Sequence, residues 1–143
     1  MISRRYRILC TVVVLFHLMN NLAHGRAHGE LGVSLNEWQT YYVIVVILIA
    51  PLIAMLWIWT PYPRLGVLVL VISMAGSLIF GVIYHYVIVS PDHVSHLPPG
   101  HLQGIFRMTA LLLALTELIG VIVGLWGIRV ALISNQKIPI KEG

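Results

Sequence analysis

Four of the chain's seven histidines fall in one stretch, Tyr84–His101, which reads YHYVIVSPDHVSHLPPGH. His85, His93, His96 and His101 share it with Asp92. Imidazole and carboxylate carry protons near neutral pH, and both ligate transition metals. A second group lies near the start of the chain, where His17, Asn20, Asn21, His24 and His28 step by three and four. That spacing puts them on one face of a helix. Glu117 is the one acidic residue in the middle of an apolar run. A charge there is costly unless paired or protonated, so Glu117 is a functional candidate, with His17 as its partner.

Three chemistries fit these residues. The first is a transition-metal site, with His24, His28, His85, His93 and His96 as ligands and His101 and Asp92 as secondary or orienting groups. Copper or iron is favoured and zinc is possible, with Met19, Met74 and Met108 as soft ligands and Glu30 or Glu37 as further carboxylates. The single cysteine, Cys10, and the lack of an HExxH or Cys/His-finger pattern argue against a closed cysteine-rich zinc site. The second chemistry is a b-type haem held by His85 with His24 or His17, with Gly76 and Gly81 leaving room for the macrocycle. The third reading is a non-catalytic accessory subunit, with histidines as interface groups. In any of these, His17 and Glu117 form a buried polar pair, either a proton relay or structural glue. No GxSxG or GxxxxGK[ST] stretch supports nucleophilic or phosphate chemistry.

Elements of one kind must position these residues. Apolar residues make up 59% of the 143 and charged residues 10%, against about half and a quarter in a soluble domain. Four apolar runs, Arg7–Gly25, Leu35–Trp59, Arg64–Val89 and Ile105–Val130, each approach the roughly 20 residues needed to cross a bilayer. Segments that cross lipid must satisfy their backbone internally. The expectation is therefore an all-α integral membrane protein, a single four-transmembrane-helix bundle spanning residues 1–143 with an outer loop at Ser90–Gly104. Arg4, Arg5 and Arg7 ahead of Ile8–Met19, followed by Gly25-Arg26-Ala27, also resemble a secretory signal. The run is read here as a retained helix.

Arg4, Arg5, Arg7, Arg64, Arg129, Lys137 and Lys141 fall at one face and only Arg26 and Arg107 at the other. The positive-inside rule then puts both termini in the cytoplasm, and in a bacterium the chain in the inner membrane. The net charge of +4 is spread over helix ends, so it marks topology and not a nucleic-acid surface. The expected partners are the lipid bilayer and other membrane subunits or further copies of the chain. Ser34-Leu-Asn-Glu37 reads as a capping box for the second helix. Pro51 should kink that helix, and a short surface helix after Pro91 should carry His93 and His96 on one face. Ser73, Ser77 and Gly81, together with Gly120, Gly124 and Gly127, read as close-packing positions.

Overall fold

The computed structural model of the chain describes residues 2–135, with side chains described through residue 130. Lys137 and Lys141 lie outside the described residues. Four helices are long and apolar enough to cross a membrane. They are α1 (Arg4–Leu31), α2 (Glu37–Ile58), α3 (Pro63–Val87) and α4 (Gln103–Asn135). No strand occurs among the described residues.

Each terminus has a local cause. The Ser3 side chain accepts from the Tyr6 N–H and opens α1. Gly32, at φ 64°, closes it in the left-handed conformation that glycine adopts without a Cβ penalty. Thus α1 runs six residues beyond Gly25, and His28 stays helical. The capping box of α2 lies two residues beyond the expected one. Asn36 accepts from the Gln39 N–H at 2.9 Å, and Gln39 Oε1 accepts from the Asn36 N–H at 2.9 Å. Pro63 occupies the first turn of α3, where its missing N–H costs nothing.

Two segments depart from α geometry. Val43–Ile49 of α2 is π-helical, just before Pro51. A proline ring crowds the carbonyl four residues back and leaves it without a donor. Here the helix widens upstream, and the Ala50 N–H reaches Val45 O. The last turn of α3, Ile83–Val87, is also π-helical and carries His85.

The helices α1, α3 and α4 pack on one another through α4, and α2 packs on α3. The later half of α2, Ala50–Ile58, also packs on α1. Its first half makes its main contacts with α3. One core cluster, including Tyr6, Cys10, Val14, Ile58, Leu70 and Met74, fills the arginine end of the bundle. A second, built on Ala27, Leu31, Val33, Leu97 and Phe106, fills the histidine end. Close approach depends on glycine. A Cβ at Gly66 would meet Ile58 N at 2.7 Å, and one at Gly120 would meet Met74 Cγ at 2.7 Å. Gly124 and Gly127 are likewise filled by Val71 and Tyr6. Large apolar side chains such as Leu56, Ile72 and Ile122 stay exposed on the outward faces, the pattern of helices that face lipid.

Candidate metal centre

The site is built from α1 upward. His24 and His28, one turn apart on α1, point toward the last turn of α3 and the first turns of α4. There they meet His85, and one ligand nitrogen from each of the three lies within 4.8 Å of the others. Phe106 of α4 is fully buried against the rings, its centroid 4.5 Å from His24, 4.9 Å from His28 and 5.5 Å from His85. Asp92 comes back from the loop, with Oδ1 3.2 Å from His28 Nε2 and 3.2 Å from His85 Nδ1.

The partners of the rings decide where their protons sit. A carbonyl can only accept, so a ring nitrogen bonded to one carries the hydrogen. His85 Nδ1 contacts Asp92 O at 3.1 Å, so the neutral ring leaves Nε2 as a bare lone pair. His28 Nδ1 contacts Val33 O at 3.2 Å, and its Nε2 is bare in the same way. That carbonyl is in reach because the Gly32 cap folds the chain back, with the Val33 N–H bonded to His28 O at 3.0 Å. His24 Nδ1 lies 2.9 Å from Thr109 Oγ1. The Thr109 hydroxyl sits closer still to Ile105 O, at 2.7 Å, so its proton goes there and its lone pair accepts from His24. His24 Nε2 is then bare as well.

Acceptors therefore face acceptors. His24 Nε2 and His85 Nε2 stand 3.2 Å apart, and His28 Nε2 faces a carboxylate. Neither imidazole is aligned for a hydrogen bond to the Asp92 carboxyl, and both its oxygens are buried without a partner. Burial alone would raise the Asp92 pKa, but hydrogen bonding and positive charge from the His28 and His85 rings, available once a ring takes up a proton, outweigh it and hold the carboxyl well below the ordinary carboxylate range. A proton shared among these groups or a metal ion between them relieves this arrangement. Metal–nitrogen bonds of about 2.0–2.1 Å in a tetrahedral site put neighbouring ligand atoms roughly 3.3–3.4 Å apart, close to the 3.2 Å between the His24 and His85 nitrogens. The His24–His85 pair is thus spaced for one ion, and a small approach of His28, within 4.8 Å of them, would complete a three-imidazole donor set.

Neither a family model, a curated protein nor a solved structure matches this chain.

Not every expected ligand is here. His93 and His96 pair with each other at the surface, Nδ1 to Nδ1 at 3.2 Å, and do not reach the triad. The loop forms successive turns there, closed by His93 N–H to Ser90 O and His96 N–H to His93 O, and not the expected helix. His101 is exposed at the turn before α4. Glu30 pairs with Arg26 on the outside of α1, and Glu37 is exposed in the first turn of α2. Met19 and Met108 face outward, and Met74 packs in the core. Phe106 and Thr109 carried no signal in the sequence: an apolar ring and a helical threonine are ordinary at such positions.

Below the triad lies a cavity of about 340 Å³, reaching from His24 and His85 to Glu117. Glu117 Oε1 is 3.2 Å from His17 Nε2, and both side chains are buried. Asn21 donates to His17 O at 3.0 Å and lies 3.1 Å from His17 Nε2. The Thr116 hydroxyl, an expected supporter of the pair, donates instead to Leu112 O at 2.6 Å.

Proposed function

We propose that this chain is an integral membrane bundle that binds one transition-metal ion through His24, His28 and His85. The Asp92 backbone carbonyl orients His85 by accepting from its Nδ1–H, and the Asp92 carboxylate neutralises charge. One observation carries the reading: bare imidazole nitrogens converge beside a buried carboxylate that has no aligned donor. Three imidazoles and no thiolate favour copper or iron, with zinc admissible. Three protein ligands leave a coordination position open, the arrangement of reactive metal sites rather than closed structural ones. When bound, such an ion supplies Lewis-acid or redox chemistry at the wall of the cavity.

The geometry speaks against a haem. Axial nitrogens on opposite faces of one iron stand about 4 Å apart, twice a metal–nitrogen bond, with a macrocycle between the rings. His24 Nε2 and His85 Nε2 are closer than that, at 3.2 Å, and His17 is engaged with Glu117. The topology rests on charge. Arg4, Arg5, Arg7, Arg64 and Arg129 gather at one end of the bundle, against Arg26 and Arg107 at the other. We therefore place the metal site on the non-cytoplasmic side, with both termini in the cytoplasm.

Elemental analysis and a visible spectrum of gently purified protein test this, beside His85→Ala. Stoichiometric copper, iron or zinc that the variant loses supports the site. A Soret band would move the assignment to haem. A metal-free protein that stays metal-free on titration and co-purifies with other subunits would leave the accessory-subunit reading in its place.

A further inference from the structure

The geometry points to a second binding function: the cavity under the triad takes a small, uncharged, largely apolar molecule whose single hydroxyl or amine end faces the imidazoles. The inference rests on the metal reading for what that end meets, and on the cavity itself for the rest. At about 340 Å³ the space lies at the small end of ligand sites, which run roughly 300–1,000 Å³ and are mostly apolar with a few convergent polar groups. Its walls follow that recipe. Val43, Ile47, Phe80 and Leu113 line the sides, with the triad at one end and Glu117 at the other.

Two glycines keep the space open. A Cβ at Gly25 of α1 would touch nothing within 4 Å. One at Gly81 of α3 would meet only Glu117 Oε2 at 3.7 Å and His85 Cδ2 at 3.9 Å, ordinary contact distances. At Gly66, Gly76, Gly100, Gly120, Gly124 and Gly127 an added Cβ would collide with a neighbour. Gly25 and Gly81 are therefore not packing glycines, and both border the cavity. Gly81 had been expected to serve close helix approach; its contacts place it instead between the triad and Glu117.

The cavity lies between α1 and the first half of α2, which packs chiefly on α3, and it is bordered by the exposed Gly25 and Thr40. No lysine or arginine lines the cavity, and Glu117 is already paired with His17. Apart from a metal ion held by the triad, nothing there offers an anion a counter-charge; of the two lining carboxylates, Glu117 is held by His17 and Asp92 sits behind the triad, 3.2 Å from the His28 and His85 rings. Ser77 and Asn21 add neutral polar groups near Glu117.

Phenol is a suitable probe, applied to full-length protein in detergent, both metal-free and loaded with Co(II). Saturation-transfer NMR reads binding, and the cobalt visible bands read contact with the metal. Gly25→Leu fills the edge of the cavity and Gly81→Ala adds one methyl at the centre, and neither removes a metal ligand. The expected result is a saturable shift of the cobalt bands in the wild type. Both variants should load cobalt normally but bind phenol about 10- to 200-fold more weakly, the scale set by altering one apolar pocket contact. Partition into micelles is common to all samples and cancels in the comparison. Equal phenol binding in wild type and both variants overturns the proposal, whatever the metal does. Variant-sensitive binding with unmoved cobalt bands overturns the orientation toward the triad. A chain that takes no cobalt yet shows the variant-sensitive binding sinks the metal reading and supports the cavity as a ligand site.

Discussion

Thr109→Val should separate metal binding from folding. In the wild type the Thr109 hydroxyl gives its proton to Ile105 O at 2.7 Å and accepts from His24 Nδ1–H at 2.9 Å. That bond keeps His24 Nε2 bare for a metal. Valine has nearly the same shape and no acceptor. A buried donor left unsatisfied costs about 1–3 kcal/mol, and His24 is only 6% exposed, so water does not make up the loss. The metal-free ring has an escape: it moves its proton to Nε2 and donates to the bare His85 Nε2 at 3.2 Å. Metal binding must reverse that move. The cost therefore falls on affinity, about 5- to 150-fold when 1–3 kcal/mol is converted at 1.4 kcal/mol per decade. It overlaps the roughly 10- to 100-fold seen when groups behind metal-ligating histidines are removed. Competition titration of Zn(II) or Co(II) against a chromophoric chelator measures the affinity, and thermal unfolding of the metal-free protein measures the fold. Thr109→Ser should restore binding. Wild-type affinity in Thr109→Val, or an equal loss in metal-free stability, would refute the reasoning.

Asp92 has a folded-state pKa below the unfolded value of about 3.9, so its contribution to stability is present above about pH 4 and is lost as pH falls further. Thermal unfolding between neutral and acid pH should therefore show a shallower acid limb for Asp92→Asn than for the wild type, and parallel curves would count against the stated role. Metal affinity should itself fall as pH drops, because protons compete for the ligand nitrogens; titration at two pH values checks this. His93→Ala/His96→Ala should leave metal stoichiometry unchanged by elemental analysis, since that pair does not reach the triad. Gly66→Ala forces a Cβ against the Ile58 backbone nitrogen at 2.7 Å and Ala54 O at 2.8 Å. It should destabilise by about 1–3 kcal/mol or more in a denaturant melt.

The helices were legible because lipid-crossing length and apolar composition leave little choice. Their ends were less so: Gly32, not Gly25, stops α1, because only the left-handed cap and its hydrogen bonds decide which glycine ends a helix. His24 and His28 could be paired from spacing, and His17 with Glu117 from depth. His85 joined the triad as expected, while His93 and His96 did not. Proximity in sequence to Asp92 said nothing about which way each turn of the loop would face. The Val33 carbonyl, Thr109 and Phe106 were invisible, since a backbone oxygen has no sequence signature and the two side chains look like ordinary helix and core.

The two π-helical segments bring these observations together. Val43–Ile49 supplies cavity-lining Val43 and Ile47, and Ile83–Val87 carries His85. Single π turns are uncommon and cluster at functional sites, since the i→i+5 bond is poorer than the α-helical one. Pro51 accounts for the first segment. Nothing local in Ile83–Val87 demands the second, yet it is held by a 2.8 Å bond from Ile88 N–H to Ile83 O and by the loop bond from Val94 N–H to His85 O at 3.0 Å. Both irregularities border the same space, one shaping its apolar wall and the other aiming a ligand at its polar end. A bundle selected only to pack would have closed that gap, as its glycines do elsewhere by letting helices touch. Here the gap stays open at Gly25 and Gly81, and every histidine of the triad turns a nitrogen toward its upper end. The triad and the cavity beneath it thus share one space, the basis for reading the proposed metal site and ligand site as one device.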